Sequence, residues 1–258
     1  MASVTAGAVV RPRAFVRVAG SDAADYLQRM VSNDVEALEV GGSCEALLLT
    51  PKARLIAPLR VWRRGEADFL LLTEPELGDL ARSHLTRTRF AARCEIEPEE
   101  HRSVLVLGRE DGGIPNEDYG VPAVEVLDED VSADPVPDEE LERLRILART
   151  PRWGRELDDR VLPAEAGLID RAVSFTKGCY PGQEPIARLH YRGHVNRSLR
   201  VLDVEGEAVP APETEIRLGE KAVGRITSAV PGLALAYVRT DVADDAELDV
   251  GGAKARLH

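Results

Sequence analysis

The sequence is poor in cysteine and aromatic rings and has no long apolar run. Its 258 residues include three cysteines, Cys44, Cys94 and Cys179, none in a CxxC pair. That excludes the paired-thiolate signature of zinc and cluster sites. No stretch is apolar enough for long enough to cross a membrane as a helix. Met1–Val10 has neither the basic residue nor the apolar core of a secretion leader, so a cytoplasmic address and free thiols are expected. Positive charge is also scarce: 33 Lys and Arg against 45 Asp and Glu give a net charge of -12. A surface of that sign repels a polyanion, so extended nucleic-acid binding is not expected. One segment runs against this balance, with Arg188, His190, Arg192, His194, Arg197 and Arg200 close together. It reads either as a solvated strand and turn or as a face for a ligand carboxylate.

What is present is the composition of an ordinary globular chain. Residues 14–18 alternate as a strand. Ser21 is placed to cap a helix burying Tyr26, Leu27, Met30 and Val31 and ending near Asn33. Strands are predicted at 46–50 and 54–62 around a Pro51-Lys52-Ala53 turn, at 69–73, and near 94–97, 104–107 and 123–127. Helices are predicted over 75–86, with Pro75 in the first turn, and over 138–148. Between them, 128–138 reads as an acidic, proline-bearing linker. Six short apolar segments follow residue 198, at 199–204, 215–218, 221–228, 233–238, 247–250 and 254–257. Gly, Pro and Asp separate them closely, the pattern of a small antiparallel barrel or sandwich.

The densest chemistry lies in Lys177-Gly178-Cys179-Tyr180-Pro181-Gly182-Gln183-Glu184. Gly178 and Gly182 allow a ligand to approach the backbone closely. In an extended loop Lys177 and Cys179 point the same way, and a nearby cation favours thiolate. Gln183 offers a donor and an acceptor, Tyr180 a flat face, and Glu184 a carboxylate to orient Lys177 or Arg188. The bland alternative is a Gly-Pro turn around a buried cysteine. Cys44 and Cys94, in strand-like surroundings, read as small core residues. His190 and His194 are four apart, but Gly193 between them argues against a shared metal.

KGCYPGQE resembles the KGC-[FY]-x-GQE signature of the YgfZ-type folate-binding proteins. Leu162-Pro163-Ala164-Glu165-Ala166-Gly167-Leu168 resembles that family's LPxEAGL, and Arg192-Gly193-His194-Val195-Asn196-Arg197 its RGHVNR tail. Weaker likenesses lie at Tyr26-Leu27-Gln28 with Ser32-Asn33-Asp34-Val35, at Leu48–Lys52, at Gly224–Ser228 and at Ala234–Val238. The resemblance implies an α+β fold like that of the glycine-cleavage T-protein. Its folate-binding region would be 1–198, in two intertwined parts (about 1–45 with 100–198, and 46–99), followed by a barrel at 199–258. It implies a cavity for tetrahydrofolate or a substituted folate, lined by Gly178, Tyr180, Gly182, Gln183, Glu184, Arg188, Arg192, Trp153, Asn33 and Glu165, with Cys179 and Lys177 at its working end. Trp153 could equally be core, and Asn33 a helix-end turn.

The implied role is an accessory protein for iron–sulfur client enzymes. The alternatives are a tetrahydrofolate-dependent aminomethyl transferase and a binding module without chemistry. Transfer chemistry needs an acid, which the T-protein carries in its early hairpin; by the resemblance the corresponding residues here are Ala57 and Pro58, neither of which can move a proton. Leu147 falls where the T-protein has a pterin-binding glutamate, which weakens the case for folate.

Overall fold

The structure, a computed structural model, describes residues 6–258. The reading of Met1–Val10 as leaderless therefore falls partly on residues 1–5, outside the described residues. Strand β1 (Gly7–Val10) is followed by β2 (Ala14–Ala19), α1 (Ala23–Met30), β3 (Ser43–Leu49), β4 (Leu55–Gly65) and β5 (Asp68–Thr73). A 3-10 turn at Pro75–Leu77 leads into α2 (Gly78–Thr88) and β6 (Glu95–Glu99). These strands, β1 excepted, form one antiparallel sheet in the order β3-β4-β5-β2-β6. β5 has no polar-apolar alternation because both its faces are covered. Phe69 and Leu71 pack with Tyr26, Leu27 and Leu85 of the helices. Leu70 and Leu72 pack on the other side with Phe15 and Ile114. Burying such a side chain contributes roughly 1.5–3 kcal/mol.

A second antiparallel sheet has the order β1-β7-β9-β8, using β7 (Ser103–Leu107), β8 (Ile114–Pro115) and β9 (Ala123–Leu127). Gly7 pairs with Leu107 and Val10 with Val104, so the first strand crosses to a sheet made much later in the chain. This is the intertwining of the body, but pairing divides it differently from the expected segments. β2, α1 and β3 belong with β4–β6, not with residues 100–198. At the start of α1, Asp22 rather than Ser21 is the cap residue, and it makes no side-chain cap bond. Its carboxylate instead accepts from the backbone and guanidinium of Arg93.

Helices α3 (Asp138–Leu147), α4 (Ile169–Ala172) and α5 (Gln183–Arg192) precede six strands. These are β10 (Arg197–Val204), β11 (Glu215–Leu218), β12 (Lys221–Val230), β13 (Leu233–Arg239), β14 (Leu248–Val250) and β15 (Ala253–Leu257). They close into a barrel in the order β10-β13-β12-β11-β14-β15, each within two residues of its predicted segment. α5 is a departure, since its sequence reads as turn and strand. Pro185 is the third helical residue, where the N–H has no intrahelical partner to lose, so it opens the helix rather than breaking it.

Barrel and body meet at a buried carboxylate. Glu156 is 1% exposed. It accepts from Arg145 Nη1 at 3.0 Å, from the backbone N–H of Arg152 at 3.0 Å and from Ser228 Oγ of β12 at 2.7 Å. Its carbonyl accepts from the Tyr237 hydroxyl of β13 at 2.8 Å. Removing the carboxylate leaves Arg145 paired with Glu142 but takes the acceptor from the Arg152 N–H and the Ser228 hydroxyl, and a buried donor left unanswered costs about 1–3 kcal/mol. Glu156→Ala is expected to lower unfolding free energy by that amount in urea denaturation. A loss below about 1 kcal/mol, the level of a surface ion pair, would show that the joint does not depend on it.

Candidate functional site

The loop between α4 and α5 is fixed at several points. The backbone N–H of Ser174 donates to Ser32 O at 3.0 Å. Lys177 is buried, and its ammonium donates to Val31 O at 2.6 Å and Asn33 O at 2.9 Å. It also lies 5.3 Å from the centre of the Tyr180 ring. Tyr180 is buried, its hydroxyl has no partner, and burial pushes its pKa up to about 12. Gly182 has φ +86°, and a Cβ there would stand 2.8 Å from Thr50 O. Only glycine closes this turn against the β3–β4 hairpin. Between the buried Lys177 and Tyr180, Gly178 and Cys179 are exposed.

The geometry does not turn Lys177 toward Cys179. Its ammonium is engaged by two carbonyls just past the end of α1. Burial lowers the Lys177 pKa to about 8 against the pull of Asp34. Burial likewise raises Cys44 to about 12 and pushes the Cys94 thiol up. Cys179 is thus the exposed thiol of the three.

The other expected ligand contacts separate into two groups. Asn33 donates to Glu45 O at 2.7 Å and accepts from the backbone N–H of Asp34. The Glu165 carboxylate accepts from Arg197 Nε and Nη2, each at 3.1 Å, and from the backbone N–H of Leu162 at 3.2 Å, holding the 162–168 turn to the barrel. Trp153 packs against two core clusters. These three are structural. Gln183, Glu184, Arg188 and Arg192 lie on α5, facing outward clefts that also take in Tyr180 and Gly182. Glu184 and Arg188, four apart, make no ion pair among the described residues. His190 stacks on Phe175 with centroids 4.3 Å apart.

None of the expected ligand residues lines the central hollow. That space, about 70 Å³, is walled by Leu47, Leu59, Leu72, Leu157 and Leu168 and by a charged cluster that the sequence did not reveal. Arg60 Nη2 lies 3.2 Å from both Asp118 and Glu45. Arg171 Nη2 lies 2.5 Å from Glu45 and 3.2 Å from Asp118. Arg13 Nε donates to Glu125 at 3.2 Å. Glu74 has only long ion pairs, to Arg11 at 3.7 Å and Arg13 at 3.8 Å. The Nε–H groups of Arg11 and Arg60 are buried without partners. Pro58 lines the hollow and Ala57 is buried, so neither position offers an acid. Leu147 is 41% exposed and faces an outer cleft with Arg149 and Glu165, not the hollow, because Arg145 takes the inward direction of α3.

Burial alone would raise the carboxyl pKa values of this cluster, but the guanidinium groups outweigh it. Glu125 is held at about 2 by Arg13, with Arg11 and Arg60, and Asp118 falls well below the carboxylate range. A carboxyl depressed on folding contributes stability above its unfolded value, and that contribution is lost as pH falls through the folded value. Urea midpoints should therefore drop steeply as pH falls from about 4.5 toward about 2. Glu125→Gln should flatten that slope, and an unchanged slope would locate acid sensitivity elsewhere.

The comparisons agree with this architecture. Residues 196–258 match the family model described as CAF17, C-terminal beta-barrel domain. The tRNA-modifying protein YgfZ of Pectobacterium atrosepticum is 28% identical over 251 residues, covering 80% of this chain and 73% of that protein. An uncharacterised protein of Haemophilus influenzae is 28% identical over 226 residues, covering 83% and 81%. The glycine cleavage system aminomethyltransferase T from Bartonella henselae superposes with a TM-score of 0.82 at 17% identity, over 98% of this chain and 85% of that one. Its likeness is one of fold. The KGCYPGQE loop, the closed barrel and these relatives together show a chain similar to the YgfZ proteins, with the fold of the glycine-cleavage T-protein.

Proposed function

We propose that the chain is an accessory protein for iron–sulfur enzymes that works through the thiol of Cys179. The observation that carries this is the exposure of that thiol on a loop whose neighbours on either side are anchored. At Gly178 even an added Cβ would meet nothing within 4 Å, so a partner's sulfur has open access. The chemistry a lone thiol supports is exchange. The Cys179 thiolate attacks one sulfur of an oxidised client's disulfide and forms a mixed disulfide, releasing the client's other sulfur as thiolate. A low-molecular-weight thiol then attacks the mixed disulfide, freeing either the client cysteine or Cys179. A second thiol equivalent completes the two-electron reduction of the client. The name of the Pectobacterium relative, tRNA-modifying, fits this reading through a client enzyme rather than direct RNA contact, given the net charge of -12.

The reading includes tetrahydrofolate as ligand of the central hollow, on the strength of its donor set. The Glu74 carboxylate, which has long ion pairs and no hydrogen bond, would hold the paired N–H donors of a pterin edge, and the unpartnered Nε–H groups of Arg11 and Arg60 would meet its carbonyl. Leu59, Leu72 and Leu157 would supply apolar walls. When bound, the ligand would supply a reduced pteridine. The hollow of about 70 Å³ is far below the roughly 300–1,000 Å³ of ligand pockets, so binding requires the walls to part. One-carbon transfer has less support, since Ala57 and Pro58 offer no acid and Asp118 and Glu125 are held as anions by arginines.

A thiol reagent should label one cysteine quickly in the native protein and all three after unfolding. Cys179→Ser should remove the fast phase, leave the melting curve intact and fail to restore iron–sulfur enzyme activity in a deletion strain. Full restoration by that variant would refute the thiol role. Tetrahydrofolate should raise Tm, and Glu74→Gln should weaken its binding about tenfold, the effect of losing one charge-assisted contact. No heat and no thermal shift would remove folate while leaving the thiol reading in place.

A further inference from the structure

A larger space than the central hollow lies on the outer side of α5. It is a groove of about 440 Å³ between that helix, the 162–169 turn and the β3–β4 hairpin. It shares no lining residue with the central hollow and does not include Cys179. Its floor is apolar, formed by Leu162, Pro163, Ala164, Ile169, Ile186 and Leu189. Its charged lining residues are Lys52, Arg188 and Arg192, with no carboxylate among them. Arg188 and Arg192 are one helical turn apart, so they share a face. Among the described residues none of these three cations makes an ion pair or a side-chain hydrogen bond. This is unusual in a chain where acids outnumber bases 45 to 33.

We propose that this groove binds an amphipathic organic anion, a small molecule with an apolar body and a carboxylate, sulfonate or phosphate head. The volume is that of an organic-ligand pocket. The apolar floor gains by being covered. Three unpaired cations of like charge repel one another, and an anionic head among them converts that repulsion into charge-assisted hydrogen bonds. A bare inorganic anion would leave the floor wet, and a neutral apolar molecule would leave the cations unanswered.

The test uses 1-anilinonaphthalene-8-sulfonate as fluorescent probe on the full chain, with thermal melts confirming that every variant is folded. Saturable binding to one site is expected, weakened about tenfold or more in the double variant Arg188→Gln, Arg192→Gln, which loses one or more charge-assisted contacts. Ala164→Trp, which fills the floor and leaves the cations, should also abolish binding. The uncharged analogue N-phenyl-1-naphthylamine should bind far more weakly. Cys179→Ser should bind as the parent does, which separates this proposal from the thiol reading. Absence of saturable binding, equal affinity for the uncharged probe, or indifference to the arginine substitutions would overturn it. Displacement of the probe by an acidic peptide but not by dodecanoate or naphthoate would overturn it in favour of a protein partner.

Discussion

The architecture depends on a single buried carboxylate. Glu156 draws together an arginine of α3, a backbone amide of the loop after it, and hydroxyls from two barrel strands. A charge at that depth persists only if every lone pair is answered. The constraint therefore works in both directions: the barrel must sit where Ser228 and Tyr237 reach Glu156, and α3 must present Arg145 inward. That inward arginine is why Leu147 faces out. The Glu165–Arg197 pair makes a second tie between the same two parts, at a half-exposed site where it contributes less.

The parts of the fold legible in the sequence were those written in local pattern. Barrel strands announced themselves because each is short and bounded by Gly, Pro or Asp. The buried face of α1 followed from the spacing of Tyr26, Leu27 and Met30. The thiol loop stood out because Gly178 and Gly182 flank a cysteine, and Gly182 indeed closes a turn that no larger residue fits. α5 was hidden because Pro185 and the flanking glycines are breaker signals, and only the position of the proline within the first turn reverses their meaning.

What local pattern cannot carry is the convergence of distant residues. Arg11, Arg13, Glu45, Arg60, Asp118 and Arg171 come from five separate stretches of sequence, and none sits in a motif. Only the tertiary fold, placing a helix and two loops against the β3–β4 hairpin, brings them to one hollow. The direction of Lys177 failed for a related reason. Alternation along an extended loop would point it with Cys179, but two free carbonyls just past the end of α1 offer a cation a better site than a solvent-facing thiol does. Tertiary satisfaction of backbone acceptors overrode local geometry.

The crossing of β1 carries a consequence for synthesis. The ribosome makes residues 7–10 long before 103–107, their partners in the finished sheet. During that interval the nascent segment Gly7–Val10 has open edges, and the neighbouring β2–β6 unit receives its last strand, Glu95–Glu99, just before β7 is made. An apolar ribbon waiting in this way is an invitation to mispairing between polysome neighbours. Slow translation before residue 103 would lengthen the exposure, and a holdase that masks the ribbon would be the natural remedy.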